Sequence, residues 1–391
     1  MLRQLYRCRP VVSPVSRRAV IVLNPASGRG RAGRMRAELE RLLAAATARQ
    51  VGAGGAPVQR GAARRTPPGS ERIVSESLRS PVPPGSKPSR FPAQVPSATA
   101  GASHRPDTPL EWQIAQTTGP GSATRIAAEA AASGADIVAA AGGDGTLNEV
   151  LNGVAGSRSA LALLPMGTGN DFARTVGLYG RLPLAVQTLF DGDARPIDAG
   201  HVAGRWFLNV AGCGFDAAVA ERANRGPRWL SGAPAYIAAV IATIARFRPA
   251  GLRLTLDGET RELRAMLCSV ANARFYGGGM RIAPDARLDD GLFDVCLLAE
   301  AGVLEFLTAF PRVFRGTHTA HPKVAMLRAR QVGIESDRPL PLLIDGEVIG
   351  TTPAEFSLEP YAVRFLFPPA RPSDTRPNRA KSTPAGGRQG G

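Results

Sequence analysis

Apolar residues along this chain come in two textures. Up to about residue 190, short unbroken apolar runs alternate with stretches of helical spacing. Ala19-Val-Ile-Val-Leu23, Asp136-Ile-Val-Ala-Ala-Ala141 and Ala160-Leu-Ala-Leu-Leu164 hold almost no polar position. Such runs predict strands buried on both faces of a parallel sheet. Trp112-Gln-Ile-Ala115 predicts a further strand. Met35, Leu39, Leu42 and Leu43 recur at helical spacing and predict a helix over 34–47. Further helices are expected over Ala123–Ser133, Leu147–Asn152 and Leu184–Phe190. Strand, Gly-rich loop and helix in that order open a doubly wound α/β domain.

Near Asp191 to Pro196 the helical repeats give way to short strands. These are expected at 201–208, 252–256, 262–270, 292–298, 331–336, 342–344 and 363–367. Asp257-Gly258, Asp290-Gly291 and Asp345-Gly346 are turn dipeptides between such runs. Helices at 234–247 and 302–315 interrupt them. The expected fold class is therefore α/β + β: an N-terminal Rossmann-like doubly wound α/β domain, residues 19–194, then a C-terminal antiparallel β-sandwich domain, residues 195–367.

Three segments fall outside both textures. Residues 51–108 are rich in Pro, Gly, Ser and Arg and offer little apolar surface, so they read as a disordered insertion. Residues 1–18 and 368–391 read as tails. The first is Arg-rich without an apolar core and does not resemble a secretory signal. No apolar run reaches the ~20 residues that span a bilayer.

Charge changes the picture less than its size suggests. The net charge is +16, but residues 1–18 carry +5, residues 51–107 carry +5 and residues 368–391 carry +4. The remainder is close to neutral, which argues against a nucleic-acid partner. A basic tail suits reversible association with an anionic membrane surface. Of 48 basic residues only Lys87, Lys323 and Lys381 are lysine. The four cysteines, Cys8, Cys213, Cys268 and Cys296, are scattered without metal or disulfide spacing, which fits a reducing cytoplasm. Of the four histidines, His104 and His321 neighbour Arg or Pro in polar stretches and His201 and His318 have no carboxylate partner in sequence, so none is assigned to catalysis.

The chemistry concentrates at glycines. Gly142-Gly-Asp-Gly145 follows a buried strand and precedes a helix. Glycine admits phosphate oxygens to main-chain N–H groups, and the helix start favours anions. Asp144 would repel a phosphate unless it acts through a magnesium ion. Gly167-Thr-Gly-Asn-Asp171 is a second Gly-rich turn, expected beside the first on one sheet edge. Gly28-Arg-Gly-Arg-Ala-Gly33 matches a dinucleotide fingerprint, but no acid follows between Glu40 and Glu71, so NAD is rejected there. Asp345-Gly-Glu347 sets two carboxylates about one glycine, and either can serve as a general base.

The string GGDGTLNEV at 142–150, followed by LPMGTGNDFAR at 164–174, resembles lipid kinases with a diacylglycerol-kinase catalytic domain. GGDGT is shared with NAD kinases and, with variation, phosphofructokinases. The resemblance runs from about Ala19 to Phe367. It implies an ATP-dependent lipid kinase acting on a membrane lipid, diacylglycerol first, with ATP and magnesium as cofactors. An NAD kinase and a non-catalytic nucleotide- or lipid-binding regulator are the alternatives. The oligomeric state, a homodimer included, is left open. The resemblance assigns nucleotide contacts to Asn24, Pro25, Ala26, Ser27 and Gly28, to Thr117 and Thr118, to Gly142, Gly143, Asp144, Gly145, Thr146, Leu147, Asn148 and Glu149, and to Thr168. Ser122 stands where the family often carries His. A structural magnesium is implied at the carbonyls of Arg287 and Leu292 and the carboxylate of Asp290. Glu347 takes the place of the base, with Asp345 beside it, and Phe275–Met280 matches a loop at the domain cleft.

Overall fold

The computed structural model describes residues 16–54, 108–224, 233–244 and 247–369. Most of the expected tails and insertion lies outside these residues.

Four parallel strands form the first layer: β1 (Arg17–Leu23), β2 (Leu110–Gln116), β3 (Ile137–Gly142) and β4 (Ala160–Pro165), in the order β4-β3-β1-β2. β3 and β4 are buried at every position and β2, at the edge, is buried only at Leu110. That difference follows their composition, since β2 alternates Glu111, Gln113 and Gln116 with apolar residues. Around this sheet pack α1 (Ser27–Arg34), α2 (Arg36–Gly54), α3 (Ser122–Ala132), α4 (Asp144–Val154), α5 (Asp171–Thr175) and α6 (Leu182–Asp191). Leu39, Leu43, Ala127, Leu147, Leu151 and Leu189 from these helices share one core with the strands. Phe172 meets Phe365 edge-on at 5.1 Å in that core.

The expected Gly-rich loop is partly helical. α1 breaks at Gly28, Arg29 and Gly30, which take φ of 60°, 58° and 79°. The helix expected over 34–47 runs on to Gly54, four residues into the stretch read as insertion. Gln50 holds it there: its side chain donates to Thr108 O at 3.0 Å and accepts from Leu110 N at 3.0 Å.

The rest is antiparallel. β5 (Asp193–Val202) turns at Ala203-Gly204 into β6 (Arg205–Phe207), where one strand over 201–208 was expected. Ala203 adopts φ of 50°, a left-handed position that its residue type does not announce. β7 (Val210–Gly214), α7 (Phe215–Asn224), α8 (Ala233–Ile244), β8 (Ala250–Leu256), β9 (Glu259–Ala271), β10 (Phe293–Ala299) and α9 (Val303–Ala309) follow. A 3₁₀ stretch, Phe310–Arg315, continues α9. β11 (Val324–Ala329), β12 (Gln331–Ser336), β13 (Pro341–Ile344), β14 (Glu347–Thr351) and β15 (Ala354–Phe367) complete the chain. A second core of Leu252, Leu254, Phe293, Ile334, Phe356 and their neighbours fills this half, with Phe207 stacked on Phe293 at 5.7 Å.

One ladder joins the halves. β15 pairs with β12 at its start, and near its end Arg364 and Phe365 pair in parallel with Ala160 and Leu161 of β4. The last strand thus returns to the first layer. That places the β13–β14 turn opposite the ends of β1, β3 and β4.

Candidate active site

The carboxyl ends of the parallel strands carry the glycine turns. Met166 N and Gly167 N donate to Gly142 O at 2.8 and 3.1 Å, stitching the two turns together. A Cβ on Gly167 would lie 2.5 Å from the Gly143 Cα, so the backbones touch only because both residues are glycine. Ser27 Oγ closes the third side, 3.3 Å from where a Gly143 Cβ would sit. The result is a cavity of about 320 Å³ lined by Ser27, Gly28, Gly143, Asp144, Gly145, Gly167, Thr168, Gly169, Asp171, Asn209, Ala220, Tyr276, Gly277, Leu343, Asp345 and Gly346. Both halves of the chain contribute walls.

Seven of the expected site residues line this cavity: Ser27, Gly28, Gly143, Asp144, Gly145, Thr168 and Asp345. Others brace it from behind. Asn24 Nδ2 donates to Thr146 Oγ1 at 3.1 Å, and Asn24 Oδ1 accepts from Ala26 N, which fixes the turn through Pro25. Thr117 N donates to Leu23 O, and the Thr118 N–H goes to Ser122 Oγ at 3.1 Å. Ser122 thereby closes its own turn. Gly142 packs under Thr146.

Three of the expected contacts have side chains engaged within the protein. Leu147 is 1% exposed and its side chain belongs to the hydrophobic core. Glu149 accepts from Ala123 N at 3.0 Å, in the first turn of α3. Asn148 donates to Asp345 Oδ2 at 3.0 Å and to Trp206 O at 2.9 Å, joining α4 to the other half.

Asp171 is the acid that sequence reading left unassigned. It is 6% exposed, and Asp144 faces the same cavity. A Cβ on Gly169 would lie 3.0 Å from Asp144 Oδ2 and 3.8 Å from Asp171 Oδ2, so the two carboxylates converge there. Burial raises Asp144 above the ordinary carboxylate range, against a 3.2 Å hydrogen bond from Phe172 N. Burial and then the charge of Asp144 push Asp171 up to about 7. Asp171 Oδ2 accepts from Gly278 N at 2.8 Å, whereas Oδ1 has no hydrogen-bond partner and Arg174 Nε stands 3.7 Å away. Two converging carboxylates, one with an oxygen that accepts no hydrogen bond, are chemically suited to a hard divalent cation. The signal for it was present: Asp171 ends the second glycine turn as Asp144 ends the first.

Across the cavity, Asp345 sits at φ 46° on the β13–β14 turn. Its Oδ1 accepts from Asn209 N at 2.9 Å and Val210 N at 3.2 Å, and its Oδ2 from Leu208 N at 3.1 Å and Asn148 Nδ2. Burial pushes it up to about 6 despite these donors. Glu347 is different. Its side chain is 50% exposed at the cavity mouth, with Oε2 3.2 Å from Arg205 NH1 and Oε1 3.9 Å from where a Gly145 Cβ would sit. Arg205, the partner of this acid, lies 142 residues away in sequence and carries no signal of its own.

In the segment expected to hold a structural magnesium, Asp290 accepts from the Arg328 guanidinium and, at 3.3 Å, from Leu292 N, while the Arg287 side chain pairs with Asp289 at 3.3 Å. Among the described residues no three His, Cys, Asp or Glu side chains form a metal-binding group.

Glycine turns at the carboxyl edge of a parallel sheet, paired acids at their ends and a second half supplying a third acid define a phosphotransferase cleft. The comparisons agree. Residues 101–202 match the diacylglycerol kinase catalytic domain, and residues 209–367 match the YegS C-terminal NAD kinase β-sandwich-like domain. A diacylglycerol kinase of Mycobacterium tuberculosis (strain ATCC 25618 / H37Rv) is 38% identical over 254 residues, 63% of this chain and 81% of that protein. One of Bacillus subtilis (strain 168) is 36% identical over 243 residues, 61% of this chain and 80% of that protein. A crystal structure of a diacylglycerol kinase from Bacillus anthracis str. Sterne shares the fold, with a TM-score of 0.59 at 21% identity over 92% of this chain and 98% of the other. This chain belongs to the diacylglycerol kinase family. It is a kinase of the lipid-kinase type, and the use of ATP follows from that membership. No helix among the described residues is long and apolar enough to cross a membrane.

Proposed function

We propose that this kinase transfers the γ-phosphoryl group of ATP to the hydroxyl of a membrane lipid, diacylglycerol first, giving phosphatidic acid. The carrying observation is the convergence of Asp144 and Asp171 on one wall of the cavity, with the Glu347 carboxylate beside Gly145, the next residue along. Phosphoryl transfer asks for in-line positioning and charge neutralisation rather than covalent chemistry. The Gly143, Gly145 and Gly169 backbones line the cavity without side-chain bulk and can turn N–H groups to phosphate, and Ser27 and Thr168 supply hydroxyls at their rim. Asp144 and Asp171 would hold a magnesium ion, which supplies the positive charge that phosphate oxygens need.

Glu347 is the base in this reading. The lipid oxygen bonds to the γ-phosphorus, the bond from that phosphorus to the β–γ bridging oxygen breaks, and the hydroxyl proton passes to Glu347. Asp345 cannot share the role: all four of its hydrogen bonds are already made, and it holds the turn that presents Glu347. Arg205 restrains the Glu347 carboxylate toward the mouth. Labelled ATP with a panel of lipids tests the proposal, with NAD as the control acceptor. Incorporation into diacylglycerol above all other acceptors is expected; incorporation into NAD alone would refute it.

A further inference from the structure

α9 and the 3₁₀ turn that continues it form one helical element from Val303 to Arg315. Its inner positions are Phe306, Phe310 and Val313. Phe306 stacks on Phe310 at 5.6 Å and meets Phe215 of α7 at 4.8 Å. The outer positions, spaced as one helical stripe, are Val303, Leu304, Leu307, Thr308, Pro311, Arg312 and Arg315. A surface helix should carry polar residues there. Instead Val303 is 45% exposed, Leu304 77% and Leu307 37%. Ile241 on α8, beside Val240 and Ile244 that pack with Phe306, is 56% exposed. The acid within this element, Glu305, is turned to Lys323 at 2.6 Å. Arg312 and Arg315 are exposed and form no salt bridge among the described residues.

We infer that the outer face of residues 303–315, with Ile241 beside it, docks on the surface of an anionic lipid bilayer. The inference rests on the lipid substrate proposed above. Charge complementarity selects this occupant: an apolar patch followed on the same stripe by two unpaired arginines and no acid suits acyl chains beneath anionic phosphates. Leu304 and Leu307 enter the acyl boundary, and Arg312 and Arg315 meet the headgroups. On the inner side of the element Phe306 packs on Phe215, which opens α7, and Ala220 further along that helix lines the cavity.

The test uses the full chain with vesicles of phosphatidylcholine and phosphatidylglycerol in equal parts, followed by sedimentation. A Leu304→Glu, Leu307→Glu double variant should partition roughly tenfold or more weakly, at low and at molar salt alike. Arg312→Ser and Arg315→Ser should each weaken it about fivefold at low salt and leave the molar-salt value unchanged. Both sets should keep wild-type turnover on dispersed short-chain diacylglycerol, since none of these residues touches the cavity. A polarity-sensitive dye on Leu304→Cys, in a Cys8→Ser background, should shift to the blue on vesicles, and one on Glu129→Cys should not. Wild-type partitioning of the double variant, or a dye at 304 that stays in water while the protein sediments, would overturn the inference. So would a dimer that the double variant converts to monomer without any change on vesicles, because the patch would then face a second copy. If no diacylglycerol is phosphorylated in any form, the functional proposal fails, and the vesicle and dye measurements still decide the docking face.

Discussion

Asp171 and Asp345 are both raised by burial and both lie on the cavity, yet their bonding is opposite. Asp345 accepts four hydrogen bonds and has no valence left. Asp171 accepts one at Oδ2, has only the Arg174 guanidinium, at 3.7 Å, beside an Oδ1 without a hydrogen bond, and sits against the charge of Asp144. The shift in acidity is alike in kind, so it does not separate a structural acid from a reactive one. Unmet bonding does. The Asp345 side of the cavity is finished by the protein itself, whereas the Asp144–Asp171 side is where the proposed cation would complete the bonding.

The comparison breaks first at Asp144→Asn. This variant removes one of two converging charges and should take turnover below the ~10²–10⁴-fold range that loss of a general base costs. The fold should persist, because asparagine keeps an oxygen that can accept from Phe172 N. Detectable wild-type turnover with magnesium and ATP would show that the open side needs no cation.

Glu347→Gln comes next. Turnover should fall by ~10²–10⁴-fold, with ATP affinity by isothermal titration within a small factor of wild type. Glutamine keeps the shape but cannot accept the proton. Lost ATP binding with intact turnover per bound ATP would move Glu347 to the nucleotide. Arg205→Gln offers a milder probe of the same acid, since its ion pair is half exposed and such pairs are worth at most about 1 kcal/mol.

How much of this was readable follows the range of each interaction. The buried runs at 19–23, 137–141 and 160–164 announce their strands because every position is apolar. The glycines at 142–145 and 167–169 announce the cradle because only their lack of a Cβ permits the approach of the two turns. Glu149 and Leu147 share the same string and do structural work instead, since α4 turns one face to α3 and the core. The motif marks the turn but does not say which of its residues face outward. The bonding of Asp345 was illegible, because its donors come from 136 residues away and from α4. The pairing of β15 with β4 was likewise hidden, because nothing in a strand's own composition names its neighbour.

Asp345→Asn should cost stability rather than chemistry alone. The amide nitrogen of asparagine would face donors already in place, and each N–H left unmatched costs about 1–3 kcal/mol. A lower melting temperature and slack presentation of Glu347 are expected together. A variant as stable as wild type would show that the four bonds are dispensable.

Asp171→Asn should move stability the other way, and by less. Its folded acidity constant, about 7, stands above the ordinary carboxylate value, so the folded state holds this proton more tightly than the unfolded chain does. The stabilisation is therefore complete below about pH 4 and is lost as pH rises through 7. Asp144 shifts in the same direction and for the same reason. Asparagine carries no charge at any pH, so without divalent cations the variant should lose less stability between pH 5 and 8. Relief worth about 1 kcal/mol would raise its melting temperature by roughly 2–4 °C at pH 8, with no gain near pH 4. Magnesium should raise the melting temperature of wild type at pH 8 and leave the variant nearly unmoved, a readout independent of turnover. If Asp171→Asn is destabilised at pH 8 without cations, its unmatched oxygen is bonded in solution, and the contrast with Asp345 disappears.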